Sequence, residues 1–288
     1  MPTSDKLRLI NALAKTGLTD INCASFVNKK KVPQMADAEE LAQGITYRDN
    51  VRFTGSWLNK SGFERARSTP LHLSPYVFAY ASNEFAERNN NMTAEQNLQN
   101  QTVLIESYKE AGLVVDTAYI FTAFGSEFGD ADPRDCEGTI AKLLDVCAAS
   151  GASPGLIYLA DTVGFANPLL IRRVLDKVMN KWAQLEFALH LHDTRGMGLA
   201  NVAAALELGV RRFDASIGGL GGCPFAGMKG ASGNICTEDL VLMCEEMGIA
   251  TGIDLDAIID CAHMAEKIVG HPLPGKTMNA GRIRHVSV

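Results

Sequence analysis

The chain has 288 residues, 47% of them hydrophobic, a formal net charge of −6 and an isoelectric point near 5.6. A chain of this length buries a large core, and no apolar run approaches the roughly 20 residues of a membrane span, which excludes a membrane-spanning helix. The acidic balance argues against a nucleic-acid surface, because neutralising phosphates takes a clustered excess of Lys and Arg. Along the chain, Ser4 is expected to N-cap a first helix that carries Leu7, Ile10, Leu13 and Ala14 on one face and stops at Gly17. A strand is expected over residues 20–27, followed by apolar segments at 51–58 and 71–80. The capping box Thr93-x-x-Gln96 opens a long helix that closes near Gly112. Next come a strand at 113–121, a helix ending at Gly151, a strand at 155–159 and a helix entered through Asn167-Pro168. A strand at 186–192, a helix ending near Gly209 and a strand at 211–217 follow. Thr237-Glu238-Asp239 then starts a helix with acidic residues in its first turn, where the helix dipole favours them. Strand–helix alternation with no linker predicts one domain over residues 1–288, built as a (β/α)8 barrel or an open doubly wound sheet. No Gly-x-Gly-x-x-Gly follows an early strand, so the barrel is favoured.

The seven cysteines are odd in number, dispersed and without a Cys-x-x-Cys spacing. That pattern suggests neither a disulfide framework nor a zinc ribbon, and a reducing, cytoplasmic setting is expected, with no targeting segment visible. Two of the six histidines, His190 and His192, sit at i and i+2 of one expected strand. Their imidazoles therefore share a face, the usual beginning of a metal site, and Asn234 in a later glycine-rich loop offers a neutral oxygen ligand. A histidine pair merely hydrogen-bonded in a core is the bland alternative. Barrel sites lie at the C-terminal ends of strands, where Asp161-Thr162, the histidines and the glycine run beginning at Gly218 all fall. Asp161 also suits an N-cap or a turn. The glycine run lacks the Lys-Ser/Thr ending of a phosphate-binding loop, so it is expected to provide flexible closure that carries Cys223 over a ligand. Cys147 and Cys244 are expected to be small buried hydrophobes. Lys30, within Lys29-Lys30-Lys31, is a candidate contact for an anionic ligand tail, although most such runs are simply solvated.

Ala24-Ser25-Phe26-Val27 with Val32-Pro33-Gln34-Met35, Asp161-Thr162-Val163-Gly164, His190-Leu191-His192-Asp193-Thr194, Gly219-Leu220-Gly221-Gly222-Cys223-Pro224 and Gly230-Ala231-Ser232-Gly233-Asn234 together resemble the 3-hydroxy-3-methylglutaryl-coenzyme A lyase family of metal-dependent TIM-barrel lyases, over nearly the whole chain. The resemblance implies that His190, His192 and Asn234 bind a divalent cation, Mg²⁺ or Mn²⁺. It also implies that Cys223 is a mobile acid/base, that Asp161 assists proton transfer or substrate placement, and that Thr162 and Lys30 contact an acyl-CoA-type substrate. The implied reaction is cleavage of a 3-hydroxyacyl-CoA thioester to acetyl-CoA and a keto acid, in a homo-oligomer such as a dimer. A cation acidifies the substrate hydroxyl, and a thiol can protonate the departing enolate carbon.

Two departures accompany the resemblance. The family opens with a strand ending in Gly-x-Arg-Asp-Gly, which supplies a metal-ligating Asp and an enolate-stabilising Arg; this chain begins at the following helix, so a barrel without its first strand, inactive or nearly so in this form, is the expectation. Arg48-Asp49 and Arg134-Asp135 carry the dipeptide without its flanking glycines. In addition, Asn22 stands where the family has a glutamate. Together with Arg195, where many relatives have tyrosine, Asn22 keeps two other readings open: a lyase or aldolase acting on another 3-hydroxy acid, and a catalytically silent barrel serving as a binding or assembly subunit.

Overall fold

The computed structural model describes residues 1–129, 132–221 and 233–282. Among these, α1 (Thr3–Leu13), β1 (Asp20–Ser25), α2 (Ala38–Gly44), β2 (Arg52–Ser56) and α3 (Lys60–Arg67) come first. They are followed by β3 (Tyr76–Tyr80), α4 (Asn83–Asn90), α5 (Ala94–Glu110), β4 (Thr117–Phe121) and α6 (Pro133–Ala149). Next are β5 (Leu156–Asp161), α7 (Pro168–Lys181), β6 (Glu186–Leu191), α8 (Gly198–Glu207) and β7 (Arg212–Asp214). A 3₁₀ turn (Ile217–Gly219), α9 (Thr237–Glu246), α10 (Leu255–Val269) and α11 (Thr277–Ala280) complete the order. The described residues group into two compact units. The first draws on Met1–Ser74, Ile217–Gly219 and Cys236–Val288, the second on Pro75–Ser216 and Leu220–Ile235.

In the first unit β1 and β2 pair in parallel, with a register shift between Asn22 and Ala24. That irregularity explains why the buried positions Ile21 and Ala24 lie three residues apart rather than two. Leu41, Phe53, Trp57 and Phe63 are fully buried, and α10 packs against α1, α9 and the 3₁₀ turn. Ser4 does not cap α1. The cap is Pro2, whose fixed φ of −65° suits the entry to a helix, while the hydroxyl of Thr3 and the ammonium of Lys6 both donate to Asp37. Helix α10 has a legible origin of its own: Asp254 accepts from the N–H of Ala257, and Leu255, Ile258, Cys261, Ala262 and Ala265 form its buried stripe.

The second unit is a five-stranded parallel sheet in the order β3-β4-β5-β6-β7. Each crossover between its strands carries at least one helix, as parallel pairing requires. The Thr93–Gln96 capping box is formed at α5, and Asn167 caps α7 through the N–H of Leu170, with Pro168 at the first helical position. Phe78, Ile120, Ile140, Leu143 and Tyr108 are buried in this unit's core. Strand β7 is shorter than the expected 211–217, because the chain turns into the 3₁₀ segment through Gly218 at φ +59°. The pairings between the named strands are parallel, the α/β pattern that the sequence predicts. No helix among the described residues is long and apolar enough to cross a membrane.

Candidate active site

The histidine pair sits at the C-terminal end of β6, in the second unit. Alternation along the strand brings the two rings together, with Nε2 of His190 3.3 Å from Nε2 of His192. Behind them, His190 Nδ1 lies 3.0 Å from Oδ2 of Asp214, which the strand register sets directly beside it on β7. A Nδ1–H donated to that carboxylate leaves the lone pair of His190 Nε2 facing His192. His192 is 7% exposed, and burial lowers its pKa to about 3, with the neighbouring His190 adding to the effect, so it is neutral at ordinary pH. Asn234 forms an antiparallel bridge with His192, flanked by bonds from the N–H of Ile235 to the carbonyl of Leu191 and from the N–H of Asp193 to the carbonyl of Gly233. Residues directly opposite in such a bridge project from the same face, which puts the Asn234 side chain with the imidazoles. No group of three His, Cys, Asp or Glu side chains able to hold a metal occurs among the described residues; the donors gathered at this point are the two imidazoles and, across the bridge, the carboxamide of Asn234.

Asp161 ends β5 and is 1% exposed. Its two oxygens accept from the N–H groups of Phe165 and Ala166, at 2.7 and 3.1 Å. Burial pushes its carboxyl up to about 6, against the opposing pull of those two bonds and of the charges of Arg195 and His190. In the sheet register Ala160, not Asp161, lies opposite His190. The carboxylate is therefore committed to shaping the 162–166 turn. Thr162 is also buried, and its hydroxyl accepts from the N–H of Thr122 at 2.8 Å. Thr122 in turn holds a left-handed φ of +54°, accepts from the N–H of Ser82 and donates to the carbonyl of Phe121. The loops after β3, β4 and β5 are thus tied crosswise by hydroxyls. Against the 162–166 turn packs the loop after β6: Nε of Arg195 donates to the carbonyl of Gly164 at 2.8 Å, and its guanidinium lies 4.5 Å from the centre of the Phe165 ring.

The start of the glycine run belongs to the first unit. Gly218 and Gly219 both take positive φ, and the N–H of Gly218 donates to Oε2 of Glu238 on α9 at 3.0 Å. Glu238 is fully buried, its Oε1 has no hydrogen bond, and burial pushes its carboxyl up to about 7. A Cβ on Gly275 would meet that oxygen at 2.1 Å, so any side chain there forces the Glu238 carboxyl to shift. Cys223 lies outside the described residues. Cys147 and Cys244 are buried as expected, and burial raises both thiols, that of Cys147 to about 11. In the first unit Lys30 is exposed, its N–H held by Asn28 and its ammonium without an ion-pair partner among the described residues. Asn22 is exposed on β1, and Arg134 is engaged by Asp132. Asp214 is the site residue the sequence reading missed. An acid at the end of the strand after the histidine strand is its only signal, and that signal acquires meaning once the β6–β7 register is known.

Comparison with known proteins gives the same direction over most of the chain. The family model described as HMGL-like matches residues 1–265. The hydroxymethylglutaryl-CoA lyase of Bacillus subtilis is 35% identical over 276 residues, covering 96% of this chain and 89% of that protein. The 3-hydroxy-3-isohexenylglutaryl-CoA/hydroxymethylglutaryl-CoA lyase of Pseudomonas aeruginosa is 34% identical, covering 93% and 86%. Among solved structures, an HMG-CoA lyase of Acinetobacter baumannii in complex with coenzyme A and 3-methylmalate is 39% identical, with a TM-score of 0.87 over 100% of this chain and 91% of that one. Matching motifs, parallel α/β architecture and near-complete coverage by lyases converge, and the chain belongs to the HMGL-like family of HMG-CoA lyases.

Proposed function

We propose that the protein cleaves a 3-hydroxyacyl-CoA thioester of the hydroxymethylglutaryl-CoA type to acetyl-CoA and acetoacetate, with a divalent cation at His190, His192 and Asn234. The carrying observation is the pair of imidazole Nε2 atoms 3.3 Å apart, with a carboxamide on the same face and Asp214 behind. Two adjacent ligands each about 2.1 Å from one octahedral ion stand roughly 3 Å apart, so the residues fit a shared cation. Imidazole and oxygen donors without thiolate suit Mg²⁺ or Mn²⁺. When bound, such a cation supplies the positive charge that acidifies the substrate hydroxyl and offsets charge developing on oxygen.

The chain's own residues divide the remaining work. Asp214 orients His190, and Asp161 acts as a positioning residue, because both its oxygens are occupied by the turn it shapes. Thr162 accepts one bond, from the N–H of Thr122, and keeps its hydroxyl proton and a second lone pair for a ligand. Cys223 is assigned as the acid/base: as the C2–C3 bond breaks its electron pair stays on C2, which takes the proton of the Cys223 thiol, while the hydroxyl-bearing carbon becomes the ketone of acetoacetate and the proton its hydroxyl releases returns the thiolate to the thiol. Free, buried thiols among the described cysteines support a cytoplasmic setting.

The test measures Mn²⁺ binding and acetyl-CoA release on the same preparation. The expected result is one Mn²⁺ per chain, lost in His192→Ala, and acetyl-CoA formation from hydroxymethylglutaryl-CoA that a chelator abolishes and Mn²⁺ restores. Failure to bind the ion, or binding unchanged in His192→Ala, would overturn the assignment of the cation; absence of acetyl-CoA with the ion bound would overturn the reaction.

A further inference from the structure

Arg195 follows the histidine strand by four residues and is exposed, yet its side chain is fixed at two points. The bond from Nε to the Gly164 carbonyl sets one edge of the guanidinium, and the Phe165 ring covers one face. Its terminal nitrogens make no hydrogen bond and no ion pair with the described residues. The nearby acid makes no hydrogen bond or ion pair with it: Asp161 is buried and accepts from the N–H groups of Phe165 and Ala166, although it lies close enough to feel the charges of both Arg195 and His190. The loop that anchors Arg195 is the turn Asp161 shapes at the end of β5, next to the strand that carries the histidines. A planar cation held in this way has already lost most of its rotamer freedom and presents two parallel N–H donors, the arrangement that recognises a carboxylate in bidentate fashion.

We propose that Arg195 is a specificity-determining residue that binds the free carboxylate on the acyl chain of the substrate, selecting dicarboxylic 3-hydroxyacyl thioesters over uncharged ones. The inference rests on the reading of this site as an acyl-CoA lyase. A carboxylate has two oxygens and about four acceptor positions, so engagement by Arg195 leaves room for a second contact at the same group. Charge-assisted bonds of this kind are worth about ten- to a hundredfold in affinity.

Equilibrium binding of 3-hydroxyglutaryl-CoA and 3-hydroxybutyryl-CoA to the Mn²⁺-loaded protein tests it, since the two ligands differ at the carboxylate end and share the thioester. The wild type should favour the dicarboxylic ligand by at least about tenfold. Arg195→Met should bring the two within about threefold by weakening the dicarboxylic ligand alone, with 3-hydroxybutyryl-CoA and Mn²⁺ affinities unchanged, and Arg195→Lys should retain an intermediate preference. An undiminished preference in Arg195→Met, or equal weakening of both ligands, refutes the role of Arg195 while leaving the lyase reading intact. A wild type that binds neither acyl-CoA refutes the lyase reading and this inference with it.

Discussion

Glu238 carries an electrostatic penalty whose pH dependence can be worked out from the first unit. Its carboxyl is fully buried, holds the N–H of Gly218 with one oxygen and has nothing for the other. Burial raises its pKa from 4.5 to about 7, a gap that corresponds to about 3 kcal/mol. Below pH 4.5 the group is protonated in the folded and unfolded chain alike and does not change stability. Between 4.5 and 7 the unfolded chain has released the proton and the folded chain has not, so stability falls by about 1.4 kcal/mol per pH unit and levels off above 7. His192 works in the opposite sense: its pKa, depressed to about 3, makes stability rise with pH until about 6.5. The raw curve therefore mixes both slopes, with Asp161 reinforcing Glu238. The informative quantity is the difference between the wild type and Glu238→Gln, which keeps an oxygen for Gly218 and cannot ionise. Urea denaturation at pH 5, 6, 7 and 8, followed by fluorescence of the buried Trp57, should give a wild-type-minus-variant stability that declines by about 2.5 kcal/mol across the range. Parallel curves, constant within about 0.5 kcal/mol, would show that the carboxyl titrates as a solvated one and would refute the reasoning.

Asp214→Asn removes the charge behind His190 and should weaken Mn²⁺ binding about ten- to a hundredfold in calorimetric titration, with little change in melting temperature. Asp161→Ala leaves the N–H groups of Phe165 and Ala166 without their acceptor in a buried turn, and should lower stability in urea by about 2–4 kcal/mol while reducing acyl-CoA affinity. Gly275→Ala forces a methyl against the Glu238 carboxylate and should cost about 1–3 kcal/mol; combined with Glu238→Ala, which removes the clash, the extra cost of the alanine should disappear.

The period-two spacing of His190 and His192 was enough to put both rings on one face, because strand alternation is a local property. The same spacing rule applied one strand over shows what a single strand hides. Asp161 ends β5, and what its position alone does not show is the pairing of Ala160 with His190 and the turn bonds to Phe165 and Ala166 that fix where its carboxylate sits. Asp214 was illegible for the converse reason: its role depends on register between neighbouring strands, which no local pattern encodes. Caps were read well where the side chain itself makes the bond, at Thr93 and Asn167, and badly at Ser4, where the helix starts from Pro2 and the first turn is held by Asp37 from another element. Helix α10 carried both a cap and an apolar stripe and was recoverable from the sequence by the rules that found α5.

Thr122 gives the loops after β3, β4 and β5 a shared evolutionary constraint. A β-branched residue at positive φ costs about 1–3 kcal/mol, and here the surrounding bonds to Ser82, Phe121 and Thr162 offset it. Glycine would relax the backbone but sever the hydroxyl link to Ser82, whereas losing the Thr162 hydroxyl would leave the strain in place with less to hold it. Substitutions at positions 122 and 162 are therefore epistatic: a glycine at 122 that is harmful beside an intact Thr162 becomes tolerable once that hydroxyl is gone.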